Sequence, residues 1–425
     1  MTRAKGRKQA NQTIRERIRP VEGDGMMRVC MFCGRQAKPT EFDCECFRGP
    51  RKPWGPPAKK SAMWRKHETG WGEYAVVGIA GEKMSAFQRL RKFGLVREMN
   101  FPHYRLTKKE KAQELRSLFK YGPAKISDGE IEQTMHAQGF CWSYHPHSWE
   151  VRCGDMPTPM EVFMDDVKLM KVLDKRAYHG SVSSLTDSEV RKGLKAVGAQ
   201  GASNFRPTAA WAVYDKYLPD GGCTTRGEGC TAYEGEGYTV YDPSMGWGGR
   251  LLGAVGCLRV RKYIGCDPSS KTFAGLQQME ADLKRMMPQR NLQTEMHMVG
   301  SEDFRPVPGS VDLVLTSPPY FEGNGIVENY SNEPTQSHVR FPDKESWLEG
   351  FLDQTIRNCY VALKPGGILV LNVSDYLADP TTEIATTNGF AYVETLRLRL
   401  SKIMGSKHRV GGPWKTEPVL VFKRT

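Results

Sequence analysis

A short apolar run, Val311-Asp312-Leu313-Val314-Leu315, passes directly into Thr316-Ser317-Pro318-Pro319-Tyr320. Its length and near-unbroken apolar character predict a fully buried strand. Neither of two consecutive prolines has an N–H for the ladder, so the strand must end there. The chain then leaves the sheet at the strand's carboxyl end, the side on which open α/β sheets bind ligands. The exit presents a hydroxyl, a peptide carbonyl beside a proline-locked turn, and an aromatic ring. Those groups suit a planar heterocycle carrying an exocyclic amine.

Upstream, Tyr238 to Asp242 predicts a strand that closes on Asp242-Pro243 and opens into Ser244-Met245-Gly246-Trp247-Gly248-Gly249-Arg250. Glycines let the backbone approach a ligand, and the helix start that follows offers free N–H groups to an anion. Tyr263-Ile264-Gly265-Cys266-Asp267-Pro268 closes a second strand on a carboxylate, about twenty residues beyond the glycines, a spacing that suits a ribose diol. A helix from Ser269 to Met287 and a third strand from Glu295 to Val299 lead to Gly300-Ser301-Glu302-Asp303-Phe304. Asn204-Phe205-Arg206-Pro207 precedes a helix from Thr208 to Leu218.

Taken in this order, the segments resemble the DNA amino-methyltransferases, in which the catalytic motif is Asp, Asn or Ser, then Pro-Pro, then an aromatic. The resemblance covers residues 201–425. It implies an α/β class I methyltransferase fold: a Rossmann-like, mostly parallel seven-stranded sheet with an antiparallel end. It implies S-adenosylmethionine as cofactor, held by Asp242, Pro243, Gly246, Gly248, Asp267 and Thr316. An acid near the adenine amino group is also implied, for which Asp303 is preferred and Glu302 is the rival. The implied catalytic residues are Ser317, Pro318, Pro319 and Tyr320. Ser317 Oγ and the Pro318 carbonyl would accept from the two N–H bonds of a base flipped out of its duplex, with Tyr320 stacked on it. The Ser form is commoner among enzymes acting on cytosine N4; adenine N6 is the near alternative. Trp247 and Arg250 depart from the usual glycine loop and resemble a variant of bacteriophage-encoded methyltransferases. Lys364-Pro365-Gly366-Gly367 is similar to a turn found in class I methyltransferases of many kinds.

Formal charge is +13 over 425 residues, and residues 1–70 hold 17 Lys+Arg against 7 Asp+Glu, so +10 of it sits in the first sixth of the chain. A basic segment of this kind predicts a polyanionic partner, double-stranded DNA by default. No run reaches the roughly 18 apolar residues of a membrane span, and the polar, basic start does not suit a signal peptide. A soluble, cytoplasmic, DNA-associated protein is the expectation. Cys30-Met31-Phe32-Cys33 and Cys44-Glu45-Cys46 place two close thiol pairs across a loop. Cys30, Cys33, Cys44 and Cys46 can supply four tetrahedral ligands to a structural zinc, although Cys-x-Cys departs from the usual second pair.

The expected organisation is a flexible basic tail over 1–25, a zinc knuckle and basic linker over 26–70, a mainly helical DNA-recognition region over 71–200, and the catalytic domain over 201–425. Within the third part, Thr107 caps a helix reaching Tyr121, and Ser127 to Gln138 is expected to be another helix with Glu130 completing its cap. Cys141 to Trp149 is expected to be an aromatic packing cluster, and Pro159 to Tyr178 and Asp187 to Val197 to be helices. Phe321 to Lys344 is expected to be a lid or part of target recognition. Near the end, Lys344 to Leu363 predicts a helix, and Ile368 to Val373, Val393 to Leu400 and Glu417 to Lys423 predict strands. Two competing readings remain at this stage. One is methylation of RNA or a protein amide by the same fold, which usually carries Asn-Pro-Pro-Tyr. The other is a non-catalytic nucleic-acid-binding zinc protein.

Overall fold

The computed structural model describes residues 100–132, 134–178, 186–220, 235–323, 325–400 and 415–425, with the two-residue strands Arg28–Val29 and Gln36–Ala37. The chain groups into two compact units. One comprises residues 1–61 and 283–291; in it Arg28–Val29 pairs antiparallel with Gln36–Ala37. The other comprises residues 62–282 and 292–425, so the segments before and after position 200 share one unit.

A nine-stranded sheet dominates the second unit. Its strands are β1 (Lys125–Ser127), β2 (Glu130–Glu132), β3 (Tyr238–Asp242), β4 (Val260–Cys266), β5 (Gln293–His297), β6 (Val311–Thr316), β7 (Leu363–Asn372), β8 (Phe390–Arg399) and β9 (Thr416–Arg424). Their spatial order is β1-β2-β8-β9-β7-β6-β3-β4-β5. From β5 to β7 every neighbouring pair is parallel; β9 runs antiparallel to both β7 and β8. The expected Rossmann-like mixed sheet with an antiparallel end is therefore present as β3 to β9, and β1 and β2 extend it by two strands. Val311, Leu313, Val314 and Leu315 of β6 are fully buried, as a strand covered on both faces requires.

Helices flank this sheet: α1 (Lys108–Tyr121), α2 (Pro207–Tyr217), α3 (Gly249–Gly256), α4 (Ser270–Met286), α5 (Gln354–Ala362) and α6 (Asp375–Thr387). Ile356, Cys359 and Ala362 of α5 and Leu377 and Ala385 of α6 join Tyr241, Ile264, Val314, Leu369 and Leu371 in one core cluster. A second cluster gathers Phe101, Trp149, Phe163, Leu169, Val190 and Leu194 from the residues before 200. The expected helix over Pro159 to Tyr178 is broken into Pro159–Met164 and Asp166–Tyr178 by extended backbone at Asp165. Residues 344–362 wind continuously but change register, with a π-helical stretch at Trp347–Asp353.

One expected helix is wrong. Ser127 to Gln138 contains instead the β1–β2 hairpin, with Ser127 opposite Glu130. Asp128 and Gly129 both have positive φ, 52° and 73°, which a two-residue hairpin turn demands and a helix forbids. The Asp-Gly pair outweighs the Ser127 and Glu130 capping pattern. At Thr107 the same pattern is obeyed: the Thr107 hydroxyl accepts from Glu110 N while the Glu110 carboxylate accepts from Thr107 N.

Candidate active site

β3 and β6 are adjacent, with Tyr241 opposite Val314, although β4 and β5 lie between them in sequence. Strand order reverses at that point, and a crevice opens outside the carboxyl ends. The glycine loop after β3 and the Pro-Pro turn after β6 therefore emerge side by side. Between them lies a cleft of about 790 Å³, partly open to solvent.

Buried charge shapes the loop after β3. Asp242 is fully buried, and its carboxylate accepts from Ser244 N (3.2 Å), Arg250 Nε (2.9 Å) and the Tyr263 hydroxyl (2.7 Å). Arg250 also donates to the Ser244 carbonyl, so one ion pair ties both ends of the loop. Gly248 has φ 78°, and a Cβ there would lie 2.7 Å from Met279 Sδ. A Cβ on Gly249 would lie 1.8 Å from the Phe205 carbonyl oxygen, and one on Gly253 would lie 2.5 Å from Ala210 Cβ. Only hydrogen fits where α3 meets α2 and the chain before it. Trp247, unusual between the glycines, packs its ring 5.3 Å from each of His145, His147 and Tyr330 and 5.8 Å from Trp142. The cluster expected over Cys141 to Trp149 is thus an aromatic brace for the loop. Burial pushes His145 down to about 3 and His147 down to about 4, so both pack as neutral rings.

Asp267, at the end of β4, lines the cleft. Its carboxylate accepts from Gly246 N (2.9 Å) and Ser269 N (3.0 Å). Burial outweighs these donors and pushes the acid up to about 7. Glu302 forms the next part of the wall, whereas Asp303, the residue preferred from the sequence, does not line the cleft. The reason lies in α5: Asn358 Nδ2 donates to the Ser301 and Glu302 carbonyls, and the Ser301 and Thr355 hydroxyls meet at 2.7 Å. The turn so held buries Glu302 and leaves Asp303 half exposed against Arg340. Burial raises the Glu302 carboxyl, and its Oε2 is buried without a hydrogen-bond partner among the described residues.

The segment expected to be a lid has structure of its own. Phe321–Glu322 pairs with Gly325–Ile326, and Glu328–Asn329 pairs with Arg152–Cys153. Beyond them, residues 333–340 cross the cleft as a strap. Glu333 accepts from Ser270 N (3.0 Å) and Ser270 Oγ (2.8 Å), Thr335 Oγ1 donates to the Pro268 carbonyl (3.0 Å), and Arg340 pairs with Glu302 and Asp303. Thr335, Gln336 and Ser337 line the cleft, and Gln336 Nε2 is a buried donor with no partner among the described residues.

Of the residues singled out in the sequence, Pro243, Gly246, Asp267, Ser317 and Pro319 line this one cleft. Asp242, Gly248, Asp303, Thr316, Pro318 and Tyr320 do not. Asp242 and Gly248 act beneath the loop, and Thr316 is buried. Tyr320 packs against the main core cluster, and its hydroxyl meets Ser317 Oγ at 3.1 Å and Asn372 Oδ1 at 3.2 Å. These contacts anchor the phenol of the residue expected as a stacking platform. Phe205, Tyr330 and Gln336 are cleft residues that sequence reasoning missed as ligand contacts, and Glu302, the rival to Asp303, lines the cleft as well. Cys30, Cys33, Cys44 and Cys46 lie outside the described residues. Among the described residues no group of three or more His, Cys, Asp or Glu is placed to hold a metal ion, and no helix is long and apolar enough to cross a membrane.

No protein-family model and no curated protein matches the sequence. Among solved structures the chain is distantly similar to S-adenosylmethionine-dependent methyltransferases. A geranyl diphosphate C-methyltransferase from Streptomyces coelicolor A3(2) is 12% identical, with a TM-score of 0.31, over 45% of this chain and 73% of that one. A TehB-like SAM-dependent methyltransferase from Corynebacterium glutamicum is 14% identical, with a TM-score of 0.29, over 56% and 96%. The [4+2]-cyclase SpnF is 17% identical, with a TM-score of 0.26, over 38% of this chain; the match spans 53%, about half, of the cyclase. No function transfers at such values, and the strand order describes the fold by itself.

Proposed function

We propose that this chain is an S-adenosylmethionine-dependent methyltransferase that modifies an exocyclic amino group of DNA, cytosine N4 in the first instance and adenine N6 as the alternative. One observation carries the reading: Gly246, Asp267 and Ser317, from three separate loops, line a single cleft at the point where strand order reverses. The cleft also suits the cofactor chemically. Asp267 offers a carboxylate suited to a diol, and Glu302 Oε2 and Gln336 Nε2 offer a buried acceptor and donor still to be satisfied. Bound there, S-adenosylmethionine would supply an electrophilic methyl group on a sulfonium.

What remains for the protein is to ready a poor nucleophile. The lone pair of a base amine is delocalised into its ring, and acceptors on its N–H bonds draw the nitrogen toward a pyramidal form. Ser317 Oγ and the Pro318 carbonyl are proposed for that role, which is positioning and electrostatic preorganisation. Ser at the first motif position favours cytosine. DNA as the partner rests on the motif and on the basic residues 1–70.

Expression in a host free of DNA methylation, followed by sequencing that reports modified bases, tests the reading. A modified amino base in a fixed sequence context is expected, absent with Ser317→Ala. Unmodified host DNA, together with no methyl transfer to purified DNA, would refute it.

A further inference from the structure

A serine hydroxyl is both donor and acceptor, so what Ser317 offers a ligand depends on where its own hydrogen points. Ser317 Oγ lies 3.1 Å from the Tyr320 hydroxyl. That hydroxyl lies 3.2 Å from Asn372 Oδ1, 3.3 Å from the Asn372 carbonyl and 3.5 Å from Glu417 Oε2. All three act as acceptors. The Asn372 amide nitrogen donates to the Pro418 carbonyl at 3.1 Å, which turns its oxygen toward Tyr320, and an ionised carboxylate can only accept. Tyr320 has one hydrogen and must give it to this side. Its oxygen then accepts the Ser317 hydrogen, and Ser317 is left with lone pairs facing the cleft it lines.

Topology makes the chain of groups possible. Ser317 and Tyr320 follow β6, Asn372 ends β7, and Glu417 lies on β9, three strands that neighbour one another in that order. Glu417 is only partly buried, so the far end of the chain reaches toward solvent.

Building on the function proposed above, we infer that Glu417, acting through Tyr320, fixes Ser317 as an acceptor and receives the proton that the methylated amine must release. In the transfer a nitrogen–carbon bond forms as the sulfur–carbon bond breaks, leaving a neutral thioether and a cationic nitrogen. One N–H bond of that nitrogen then breaks. Its proton goes to Ser317 Oγ, the Ser317 hydrogen passes to the Tyr320 oxygen, and the Tyr320 hydrogen passes to Glu417 Oε2. No oxidant or reductant takes part, and Glu417 afterwards returns its proton to water. Burial raises the Glu417 carboxyl above its ordinary range and Glu328 adds to the rise, while Lys415, Asn372 and Tyr320 oppose it. Burial likewise raises Tyr320 far above its ordinary value, so the phenol stays neutral, as a relay requires.

Tyr320 and Glu417 are positioning residues here, and the test must separate that role from mere support. Radiolabelled methyl transfer from S-adenosylmethionine to DNA is measured at saturating cofactor from pH 5.5 to 9 for the wild type, Tyr320→Phe and Glu417→Gln. Binding of S-adenosylhomocysteine by calorimetry reports an intact cleft. Tyr320→Phe keeps the ring and loses the link, and kcat should fall by about 10- to 100-fold with cofactor affinity unchanged. The wild-type kcat should rise with pH as Glu417 ionises; Glu417→Gln should be slow and lose that rise. Variants with the wild-type rate and pH profile would overturn the inference and leave the proposed function standing. So would rate losses matched by equal losses of cofactor binding. A wild type that methylates no DNA would overturn both.

Discussion

Asp267→Asn should separate the stability of the fold from its capacity to hold a ligand. In the folded chain burial pushes Asp267 from 3.8 up to about 7, against the Gly246 and Ser269 N–H groups that favour its charge. The unfolded chain therefore releases this proton near 3.8 and the folded chain near 7. Between those values the folded state holds the extra proton, so stability falls as pH rises. The contribution is fully present below pH 3.8 and is lost on passing through 7. At about 1.4 kcal/mol per pH unit, that interval of about 3 units amounts to roughly 4 kcal/mol. Asparagine carries no charge and removes the dependence. Its amide NH₂ must face one of the two backbone donors, which costs about 1–3 kcal/mol at every pH. Asp267→Asn should thus be less stable than the wild type at pH 4 and more stable at pH 8, by about 1–3 kcal/mol in each case. Urea unfolding followed by tryptophan fluorescence from pH 4 to 8 measures this. Titrations common to both proteins cancel in the difference. At pH 8, S-adenosylhomocysteine binding should be lost from the stabilised variant. Parallel stability curves for the two proteins would refute the argument.

Two further outcomes are expected. Arg250→Ala leaves the fully buried Asp242 without its cation and should cost about 3–5 kcal/mol of stability, seen as a lower melting temperature; an unchanged melting temperature would show that Tyr263 and Ser244 suffice to hold Asp242. Deletion of Met1 to Gly70 should leave S-adenosylhomocysteine binding intact, weaken DNA binding and flatten its salt dependence, since +10 of the formal +13 goes with it; an unchanged salt slope in a filter-binding titration would place the phosphate contacts elsewhere.

What could be read from residues alone followed how local each signal is. The Asp242-Pro243 and Ser317-Pro318-Pro319 exits are properties of a few consecutive residues, and a strand ends at each. β6 is legible because burial on both faces needs an unbroken apolar run. The burial of Glu302 beside an exposed Asp303 was not legible, because the turn is held by Asn358 and Thr355, more than fifty residues away in the chain. The anchoring of the Tyr320 phenol was not legible either, because its partners, Asn372 and Glu417, lie on other strands. Helix α6 carries Pro380 inside it, where proline usually argues against a helix, so its sequence signal is weak. The hairpin over β1 and β2 is legible in Asp128-Gly129, a turn signal stronger than the Ser127 and Glu130 capping pattern.

That hairpin has a consequence for anyone dissecting the protein. β8 spans ten residues, and on the side away from β9 its partner is β2, in parallel register at Arg397–Glu130 and Leu398–Ile131. Arg399 clasps Glu130 and Glu132 across the same seam. Excising residues 201–425 as a free-standing fragment would strip this selvedge and bare the Arg397–Leu398 end of β8, lengthening its open edge, which invites one copy to zip onto the next. Recombinant pieces that begin after the hairpin should precipitate or form ribbons, whereas pieces that begin ahead of α1 keep the hem sewn.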